Sequence, residues 1–383
     1  MIKRMITLVF IELYVVAFSA LVFVLVKLRK ARRTFLFTRP PRITSSDQLP
    51  SVSVCIPARN ETHAMSECLE SVLASDYPKL EAIVLDDHSS DNTSHIIRAF
   101  AHAGVRFVEG DELPDDWLGK NFSLQTLANE ASGKIILFMD VDTRLERESI
   151  RLMVEDMLFE NRKMLAVIPQ RNDTYRASSW LSTLRYFWEL VLNSRTIPGV
   201  SSAAWMIDRH VLIDELGGFG EWRDEVQPES HIAAELTKTD EYQLVVSTPA
   251  LGVNFEKKWA SQIETSRRLL LPRFGNSVTS VLLGASLSCT VIMTQIIIIV
   301  AILERSWIML GVEALLGGMA VIVFAQYYRM TLRSRWPLAL FLSPYIVWQE
   351  LYLLLSSVVG YKRGTITWKG RVVKRPTRKR TLL

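Results

Sequence analysis

The chain has 383 residues, of which 49% are hydrophobic, and its mean hydropathy of +0.16 is high for a purely soluble protein. Three cysteines exclude a disulfide framework and a metal site built from thiolates, and they indicate a reducing compartment. The formal charge of +5 is concentrated beside apolar segments and in the tail, which suits anionic lipid headgroups. No recognition module for nucleic acid accompanies it, so we expect no nucleic-acid partner.

The first element along the chain is an apolar stretch over residues 5–26, which is long enough to span a bilayer. A basic cluster follows it instead of a small-residue cleavage site, so we predict an uncleaved anchor rather than a signal peptide. A polar linker that contains Arg39-Pro40-Pro41-Arg42 then leads to the soluble region.

Strand and helix patterns alternate from about residue 52. Strands are predicted over 52–56, 81–85, 105–108 and 134–139, and helical patterns lie between them. Strands that alternate with helices of this length imply right-handed crossovers, so we predict an α/β fold with a mainly parallel sheet. A further strand is predicted over 165–168.

A helix pattern rich in Trp and Arg comes next. Trp180, Phe187 and Trp188 lie on one face of it, and Arg185 lies on another. This pattern is typical of a helix in the membrane interface, but it also fits a helix that caps the sheet. The sequence leaves both interpretations open.

Three more apolar stretches lie at 278–302, 307–326 and 336–360. The connector after the second stretch is rich in arginine, so the positive-inside rule places it and the soluble domain on the cytoplasmic side. The last stretch carries Gln349 and Glu350 near its middle, which makes a re-entrant or interfacial segment the alternative to a third crossing. We favour the alternative, because it leaves the basic tail in the cytoplasm.

Acidic residues stand at the ends of two predicted strands. Asp86 and Asp87 follow the second strand, and Asp140 and Asp142 follow the fourth. In an open α/β sheet, ligands bind beyond the carboxyl ends of the strands. Carboxylates there can accept hydrogen bonds from a ribose or hold a hard cation against a diphosphate. No Gly-x-Gly-x-x-Gly string follows the first strand, which argues against a dinucleotide-dependent oxidoreductase.

Several short strings, taken in order and spacing, resemble one known family. They are Pro57-Ala58-Arg59-Asn60-Glu61, the run 85–91, Trp117-Leu118-Gly119-Lys120-Asn121, the run 138–142, Leu216-Gly217-Gly218-Phe219 and Trp368-Lys369-Gly370-Arg371. Together they resemble the family 2 glycosyltransferases of the GT-A fold over most of the chain. The pattern is most similar to membrane-anchored members that glycosylate lipids, such as the hopanoid-, carotenoid- and ceramide-type enzymes.

The resemblance implies an inverting transfer of one sugar from a nucleotide-sugar, with a UDP-linked donor favoured, to a hydroxyl of a membrane lipid. It implies that Asp140 and Asp142 hold Mg²⁺ or Mn²⁺, which neutralises the charge that grows on the leaving diphosphate. Lys120 is either a phosphate ligand or a surface residue. The donor pocket that the resemblance implies is lined by Pro57, Arg59, Glu61, Asp86, Asp87 and Asp140.

The resemblance also implies one general base, in a Thr-Glu-Asp-like string before a helix. The matching segment here is 227–236, and on that alignment Glu229 takes the base position. Pro228 replaces the preceding acid of the family pattern, so Asp224 and Glu225 remain alternatives for the base.

The Gln-x-x-Arg-Trp string of the family is incomplete here. Gln262 is present, the arginines are displaced to Arg267 and Arg268, and the tryptophan is absent. These three residues are candidates for binding the donor diphosphate or lipid headgroups, or they only set the membrane topology. Because the strict string is associated with processive polysaccharide synthases, single-sugar transfer is favoured over that alternative. The alternative of another class is a membrane protein that binds nucleotide-sugars without catalysis.

The predicted organisation has six parts. They are a transmembrane anchor over 1–27, a basic juxtamembrane linker over 28–50, a GT-A catalytic domain over 51–258, interfacial helices over 259–276, two or three C-terminal membrane spans over 277–360, and a basic tail over 361–383. We expect an integral protein of a bacterial cell membrane with its catalytic domain in the cytoplasm.

Overall fold

The computed structural model describes residues 2–43, 45–172 and 183–373, so Trp180 and the basic residues from 374 onward lie outside the described residues. The strands are β1 Val52–Ala58, β2 Leu80–Asp86, β3 Val105–Glu109, β4 Ile135–Met139, β5 Thr143–Leu145, β6 Met164–Ile168, β7 Gln170–Arg171, β8 Ala204–Asp208, β9 Tyr242–Val246, β10 Val253–Phe255, β11 Thr367–Trp368 and β12 Arg371–Val372. The helices are α1 Ile2–Phe35, α2 Met65–Leu73, α3 Thr93–Ala99, α4 Gly119–Glu130, α5 Ser149–Phe159, α6 Arg185–Val191, α7 Pro228–Lys238, α8 Trp259–Arg273, α9 Val278–Leu303, α10 Trp307–Thr331, α11 Trp336–Phe341 and α12 Ser343–Arg363.

The central sheet has seven strands in the order β3-β2-β1-β4-β8-β6-β9. Every neighbouring pair is parallel except the two that involve β8. The predicted α/β fold with a mainly parallel sheet is therefore confirmed. Because β2, β1 and β4 are parallel neighbours, the loops that follow them leave the same edge of the sheet. A smaller sheet, β5-β10-β7, and the hairpin β11-β12 complete the strand pairing of the described residues.

Side chains of the central strands alternate between two apolar cores, one on each face of the sheet. Val54, Ile56 and Leu137 belong to the core that also contains residues of α2 and α5. Cys55 and Phe138 belong to the core that is shared with α4 and the long helices. Burial on both faces explains why these strands are continuous apolar runs in the sequence.

The N-terminal helix α1 continues to Phe35, so the first part of the linker predicted over 28–50 is helical. Its later turns pack against protein, since Leu28 and Ala31 are buried. The backbone N–H of Phe37 then donates to the carbonyl of Val246 in β9 at 3.0 Å, and Leu36 forms a parallel bridge to the same residue. The N-terminal segment therefore pairs with an edge strand of the central sheet, where unpaired backbone groups would otherwise be exposed.

Three helical segments are long and apolar enough to cross a membrane, namely Phe10–Phe35, Val278–Leu303 and Trp307–Thr331. The last apolar stretch of the sequence is divided between α11 and α12. Within the described residues, neither of these helices is among the three candidate spans. Glu350 of α12 is fully buried. It accepts hydrogen bonds from Trp188 Nε1 at 2.6 Å and from the backbone N–H of Leu184 at 3.1 Å.

The described part of the Trp-rich segment forms α6, which lies between the sheet domain and the long helices. Its residues 186–191 are all buried. Phe187 packs edge-on against Tyr327 of α10, with 5.6 Å between the ring centroids, and Trp188 packs against Phe274 at 5.0 Å. Of the two interpretations that the sequence left open, this packing agrees with a helix that is covered by protein.

Candidate active site

The loops that follow β1 and β2 are hydrogen-bonded to each other at the carboxyl edge of the sheet. The backbone N–H of Asn60 donates to Ser89 Oγ at 2.9 Å, and the N–H of Ser90 donates to Asn60 Oδ1 at 2.8 Å. The N–H of Glu61 donates to Thr93 Oγ1 at 2.8 Å. Asn60 adopts a left-handed backbone with φ of 54°, which Asn tolerates better than most residues. These bonds fix the position from which Glu61 reaches the site.

The two carboxylates at the end of β2 have different partners. Asp86 accepts hydrogen bonds from the hydroxyls of Ser89 and Ser94, so it organises the start of α3 and its own loop. Asp87 is also buried, but it faces cations: its Oδ1 lies 3.7 Å from Arg59 Nη1. Of the predicted donor-binding pair, Asp87 is therefore the member that faces the other charged residues of the site.

Arg371 of the C-terminal hairpin makes a bidentate ion pair with Asp87. Its Nη1 lies 2.6 Å from Oδ2, and its Nη2 lies 3.1 Å from Oδ1. Gly119, the first residue of α4, makes this contact possible, because a Cβ at that position would collide with the guanidinium. The glycine of the Trp-Leu-Gly-Lys-Asn string thus allows an arginine from the far end of the chain to reach the sheet edge.

Each acid that follows β4 is paired with a lysine. Lys120 Nζ lies 2.6 Å from Asp140 Oδ1, and Lys257 Nζ lies 3.3 Å from Asp142 Oδ2. Burial opposes ionisation of Asp140, but Lys120 and Lys257 outweigh it and lower the pKa of that carboxyl below its ordinary value. The carboxylate of Asp140 is therefore negatively charged near neutral pH. Lys120, which the sequence left as a phosphate ligand or a surface residue, lies inside the site.

Glu61, His63 and Asp142 form a group that could hold a metal ion, because one potential ligand atom from each lies within 4.8 Å of the others. The two carboxylate oxygens suit Mg²⁺ or Mn²⁺, whereas the imidazole nitrogen is a ligand type that transition metals accept more readily than Mg²⁺ does. Burial raises the pKa of Glu61, and the nearby Lys369 partly opposes that shift. The acids predicted for the metal were Asp140 and Asp142; the structure groups Asp142 with Glu61 and His63 and joins Asp140 to Lys120.

Asn121 connects α4 to the loop that precedes α7. Its Nδ2 lies 2.9 Å from the carbonyl of Trp222, 3.1 Å from that of Arg223 and 2.7 Å from that of Glu225. Because Lys120 and Asn121 are adjacent on α4, the helix that holds Asp140 also holds the loop leading to the candidate base. The string 117–121 therefore positions residues on both sides of the site.

Glu229 occupies the first turn of α7, directly after Pro228, which is favoured at the first position of a helix. Its side chain is only 2% exposed, and its Oε1 has no hydrogen-bond partner. Burial raises the pKa of Glu229, whereas Lys120 lowers it and Asp140 raises it further. Glu229 is thus a buried carboxylate near the charges of Lys120 and Asp140, and one of its oxygens is unused. These are the properties of a proton acceptor.

Glu225, one of the two alternative bases, is buried as deeply as Glu229. Its Oε2 lies 3.4 Å from Nε2 of His231, and its Oε1 has no partner. The imidazole of His231 stacks over Trp222 with 6.4 Å between centroids. Glu225 is thus held between α7 and the loop anchored by Asn121, while Asp224 is exposed next to it.

The three candidates on α8 have separate surroundings. Gln262 accepts from Arg171 Nη1 at 2.8 Å and donates to the carbonyl of Lys257 at 2.9 Å, so it supports the residue that pairs with Asp142. Arg267 lies beside Gly360 of α12. Arg268 lies over the ring of Trp368 at 5.5 Å, and burial lowers its pKa. Only Arg268 of the two arginines borders the same cavity as Lys120 and Arg371.

Four basic residues belong to the site although the sequence patterns did not select them as site residues. They are Arg185, Lys257, Lys369 and Arg371. Arg185 donates to Ser202 Oγ at 3.1 Å and is close enough to lower the pKa of Asp140. Lys369 and Arg371 lie in a string that carried the family resemblance, and that string was the available signal. Pro57, a predicted pocket residue, lies in β1 opposite Leu85.

Comparison with known proteins finds similarity to glycosyltransferases over part of the chain. The model of the family described as Glycosyl transferase family 2 matches residues 53–215. The 4,4'-diaponeurosporenoate glycosyltransferase of Staphylococcus haemolyticus is 30% identical over 153 residues, which cover 40% of this chain and 38% of that protein. An N-acetylglucosaminyltransferase of Rhizobium leguminosarum bv. viciae is 30% identical over 156 residues, 40% of this chain and 36% of that protein. The chain thus spans less than two fifths of these curated relatives.

Among solved structures, the mannosyltransferase PcManGT from Pyrobaculum calidifontis, in complex with GDP-Man and Mn2+, is similar over 91% of this chain and 96% of that chain. The TM-score is 0.55 and the sequence identity is 19%. At this identity the likeness concerns the fold, and it supports the GT-A arrangement of the sheet domain.

Proposed function

We propose that this chain, whose residues 53–215 form a family 2 glycosyltransferase domain, transfers a single sugar from a nucleotide-sugar to a hydroxyl group of a membrane lipid, with inversion at the sugar carbon. The observation that carries this proposal is the buried carboxylate of Glu229, which has an unused oxygen beside the Lys120–Asp140 pair. A base at that place is needed only if an acceptor hydroxyl is deprotonated there.

The donor is proposed to bind at the carboxyl edge of the sheet. Asp87 and Arg59 lie where the nucleoside would be held, and Lys120 and Arg268 offer charges to its phosphates. Hydrogen bonds to phosphate are strong when the side chain that donates them is positively charged. A UDP-linked donor stays the sequence-based prediction.

A divalent cation is proposed at Glu61, His63 and Asp142, and it would supply neutralising charge for the departing diphosphate. In this structure, Lys257 forms an ion pair with Asp142, and Lys369 forms one with Glu61, so the negative charges of both carboxylates are already neutralised. Asp140, held by Lys120, stays a candidate for a water-mediated or direct contact with that cation.

The proposal that the acceptor is a lipid is supported by the position of α8 in the chain. This helix begins at Trp259, two residues after Lys257 of the site, and leads into α9, one of the segments long and apolar enough to cross a membrane. Ser357 and Tyr361 of α12 donate to carbonyls of α8 at 2.6 and 2.7 Å, which fixes α8 against the long helices. A single helix thus connects the site with a candidate span. The cytoplasmic orientation in a bacterial cell membrane remains part of this proposal.

The test uses the purified full-length chain, Mn²⁺, a panel of nucleotide-sugars and a total lipid extract. We expect nucleoside diphosphate release that depends on the extract, together with a lipid whose mass has increased by one sugar. Release that is equally fast without lipid would mean hydrolysis and would contradict the proposed acceptor. The matched pair of variants is Glu229→Gln and Glu235→Gln, because Glu235 lies exposed on the same helix. Only Glu229→Gln should abolish the mass increase.

A further inference from the structure

A groove with a volume of about 490 Å³ lies between the last turns of α1 and the edge strand β9. The helix contributes Lys27 and Lys30, the loop between α6 and β8 contributes Arg195, and the strand contributes Tyr242. Four of the side chains that line the groove are cationic and two are acidic. The groove therefore carries an excess of positive charge, and it is separate from the candidate active site.

Three of the four cations are available to an outside anion. The fourth, Arg162, is already paired with Asp240, because its Nη1 lies 2.7 Å from Oδ2 of that residue. Within the part of the chain that the structure describes, Lys27, Lys30 and Arg195 have no carboxylate at ion-pair distance. Converging cations that the protein does not neutralise attract an anionic ligand.

The loop that carries Arg195 is held in a fixed position. A backbone hydrogen bond of 3.2 Å closes the turn over 194–197. The backbone N–H of Gly199 donates to Asn193 Oδ1 at 2.9 Å, and the hydroxyl of Tyr242 in β9 donates to the carbonyl of Gly199. The fold therefore brings Arg195 to the same groove as the two lysines of α1, although it is far from them in the sequence.

The two lysines lie at the level along α1 where a bilayer has its headgroups. The apolar stretch of the helix ends at Val26, so a rise of about 1.5 Å per residue places Lys27 about 1.5 Å and Lys30 about 6 Å beyond it. The headgroup layer on each side of the hydrocarbon core is about 5–8 Å thick. Both ammonium groups are thus within reach of lipid phosphates.

The surface of α1 below the groove is apolar. Val16 and Phe23 are spaced by seven residues and lie on the same face as Lys27 and Lys30, because they precede these lysines by whole helical turns. They are 56% and 52% exposed. Lys27 Nζ lies 5.7 Å from the centre of the Phe23 ring. A ligand that fits both surfaces has an anionic head and apolar chains.

We propose that this groove binds one anionic phospholipid, whose phosphate contacts Lys30 and Arg195 and whose acyl chains lie along Phe23 and Val16. A free anion would leave the apolar face unused. A zwitterionic phospholipid would bring its own cation into a groove that already has an excess of positive charge. We take from the proposed function only the insertion of α1 in a membrane, and sugar transfer is not required for this binding.

The test titrates the full-length chain in a neutral detergent with dioleoyl phosphatidylglycerol or dioleoyl phosphatidylcholine. Native mass spectrometry counts the chains that retain one lipid. The wild-type chain should prefer phosphatidylglycerol. Each charge removed in Lys27→Ala/Lys30→Ala or in Arg195→Ala should weaken phosphatidylglycerol binding about fivefold, because a basic residue near anionic lipid is worth about 1 kcal/mol. Arg195→Lys, which keeps the charge, should bind almost as well as the wild type.

The matched control is Arg29→Ala/Arg33→Ala, which removes two exposed charges from the same turns of α1 but outside the groove. It should leave the affinity for phosphatidylglycerol unchanged. An equal loss in this control and in Lys27→Ala/Lys30→Ala would mean that the helix end attracts anionic lipid through its overall charge, which overturns the proposed site. An unchanged affinity in Arg195→Ala would also overturn it.

Inorganic phosphate in millimolar excess identifies the other possible occupant. It should displace phosphatidylglycerol no better than potassium chloride of the same ionic strength, which accounts for screening. Stronger displacement by phosphate would mean a site for free phosphate and would contradict the lipid. No sugar donor enters these measurements. A chain that transfers sugar without preferring phosphatidylglycerol therefore refutes the lipid site alone, and a chain that shows the preference without transfer refutes only the proposed function.

Discussion

Glu229→Gln is the sharpest perturbation of the proposed mechanism, because it removes a proton acceptor while it keeps the shape of the side chain. Glu229 is 2% exposed and lies in the first turn of α7, where an amide of equal size fits the same space. The Gln side chain carries no negative charge and cannot take a proton from an acceptor hydroxyl. Donor binding, which we propose to depend on residues of the sheet edge, should persist.

The expected loss of rate follows from the role of a base. General acid–base catalysis contributes about 10²–10⁴-fold, so kcat should fall at least about 100-fold. At about 1.36 kcal/mol per tenfold, this is about 2.7 kcal/mol of transition-state stabilisation. The stability of the folded chain, in contrast, should not fall. Burial raises the pKa of Glu229, so its charged form is disfavoured in the folded chain, and a neutral amide should leave the Tm unchanged or raise it.

The assay combines three measurements on the same preparation: the rate of lipid-dependent transfer, the affinity for UDP, and the Tm. Glu235→Gln is the control for an amide on α7. A near-normal transfer rate in Glu229→Gln would refute the assignment, and Glu225→Gln or Asp224→Asn would then be expected to abolish activity. A Tm that falls by several degrees would mean that the carboxylate has a structural role.

Three further predictions concern the metal group, the loop before α7 and the pH profile. Asp142→Asn should weaken Mn²⁺ binding, followed by calorimetry, by at least about 10–100-fold, the range known for substitutions beyond the direct ligands; equal affinity would remove Asp142 from the metal site. Asn121→Ala leaves three backbone carbonyls without their shared donor, so denaturant unfolding should show a loss of about 1–3 kcal/mol, whereas an unchanged midpoint would contradict the anchoring role. Because the pKa of Glu229 is raised above 4.5, kcat should fall as the pH drops through that raised pKa, and the acid limb should be missing from the residual rate of Glu229→Gln.

The fold was largely predictable because the sheet strands are apolar runs bounded by polar loops. The predicted strands near β1, β2, β3, β4 and β6 are all present. Asp87 and Asp140 could be selected because they follow such strands directly. Their neighbour Asp86 has the same sequence context, yet its carboxylate accepts bonds from Ser89 and Ser94, and this division of roles depends on side-chain directions that the sequence pattern does not contain.

Contacts between residues that are far apart in the sequence were harder to predict. The grouping of Glu61 and His63 with Asp142 depends on how two loops approach each other, and the pairing of Arg371 with Asp87 joins residues 284 positions apart. Loop closure over such separations has no local signature. Periodicity also could not show that α6 is covered by helices from the C-terminal part, since apolar faces look alike whether lipid or protein covers them.

The continuity of α1 bears on how this protein would meet its acceptor. The helix contains a candidate span and ends at Phe35, with only one residue between it and Phe37, whose backbone pairs with Val246. A sheet domain joined to α1 in this way cannot move independently of that helix over the membrane surface. Under the proposed function, each lipid acceptor would have to arrive by lateral diffusion in its leaflet, and turnover would follow the mole fraction of acceptor in the bilayer rather than its bulk concentration.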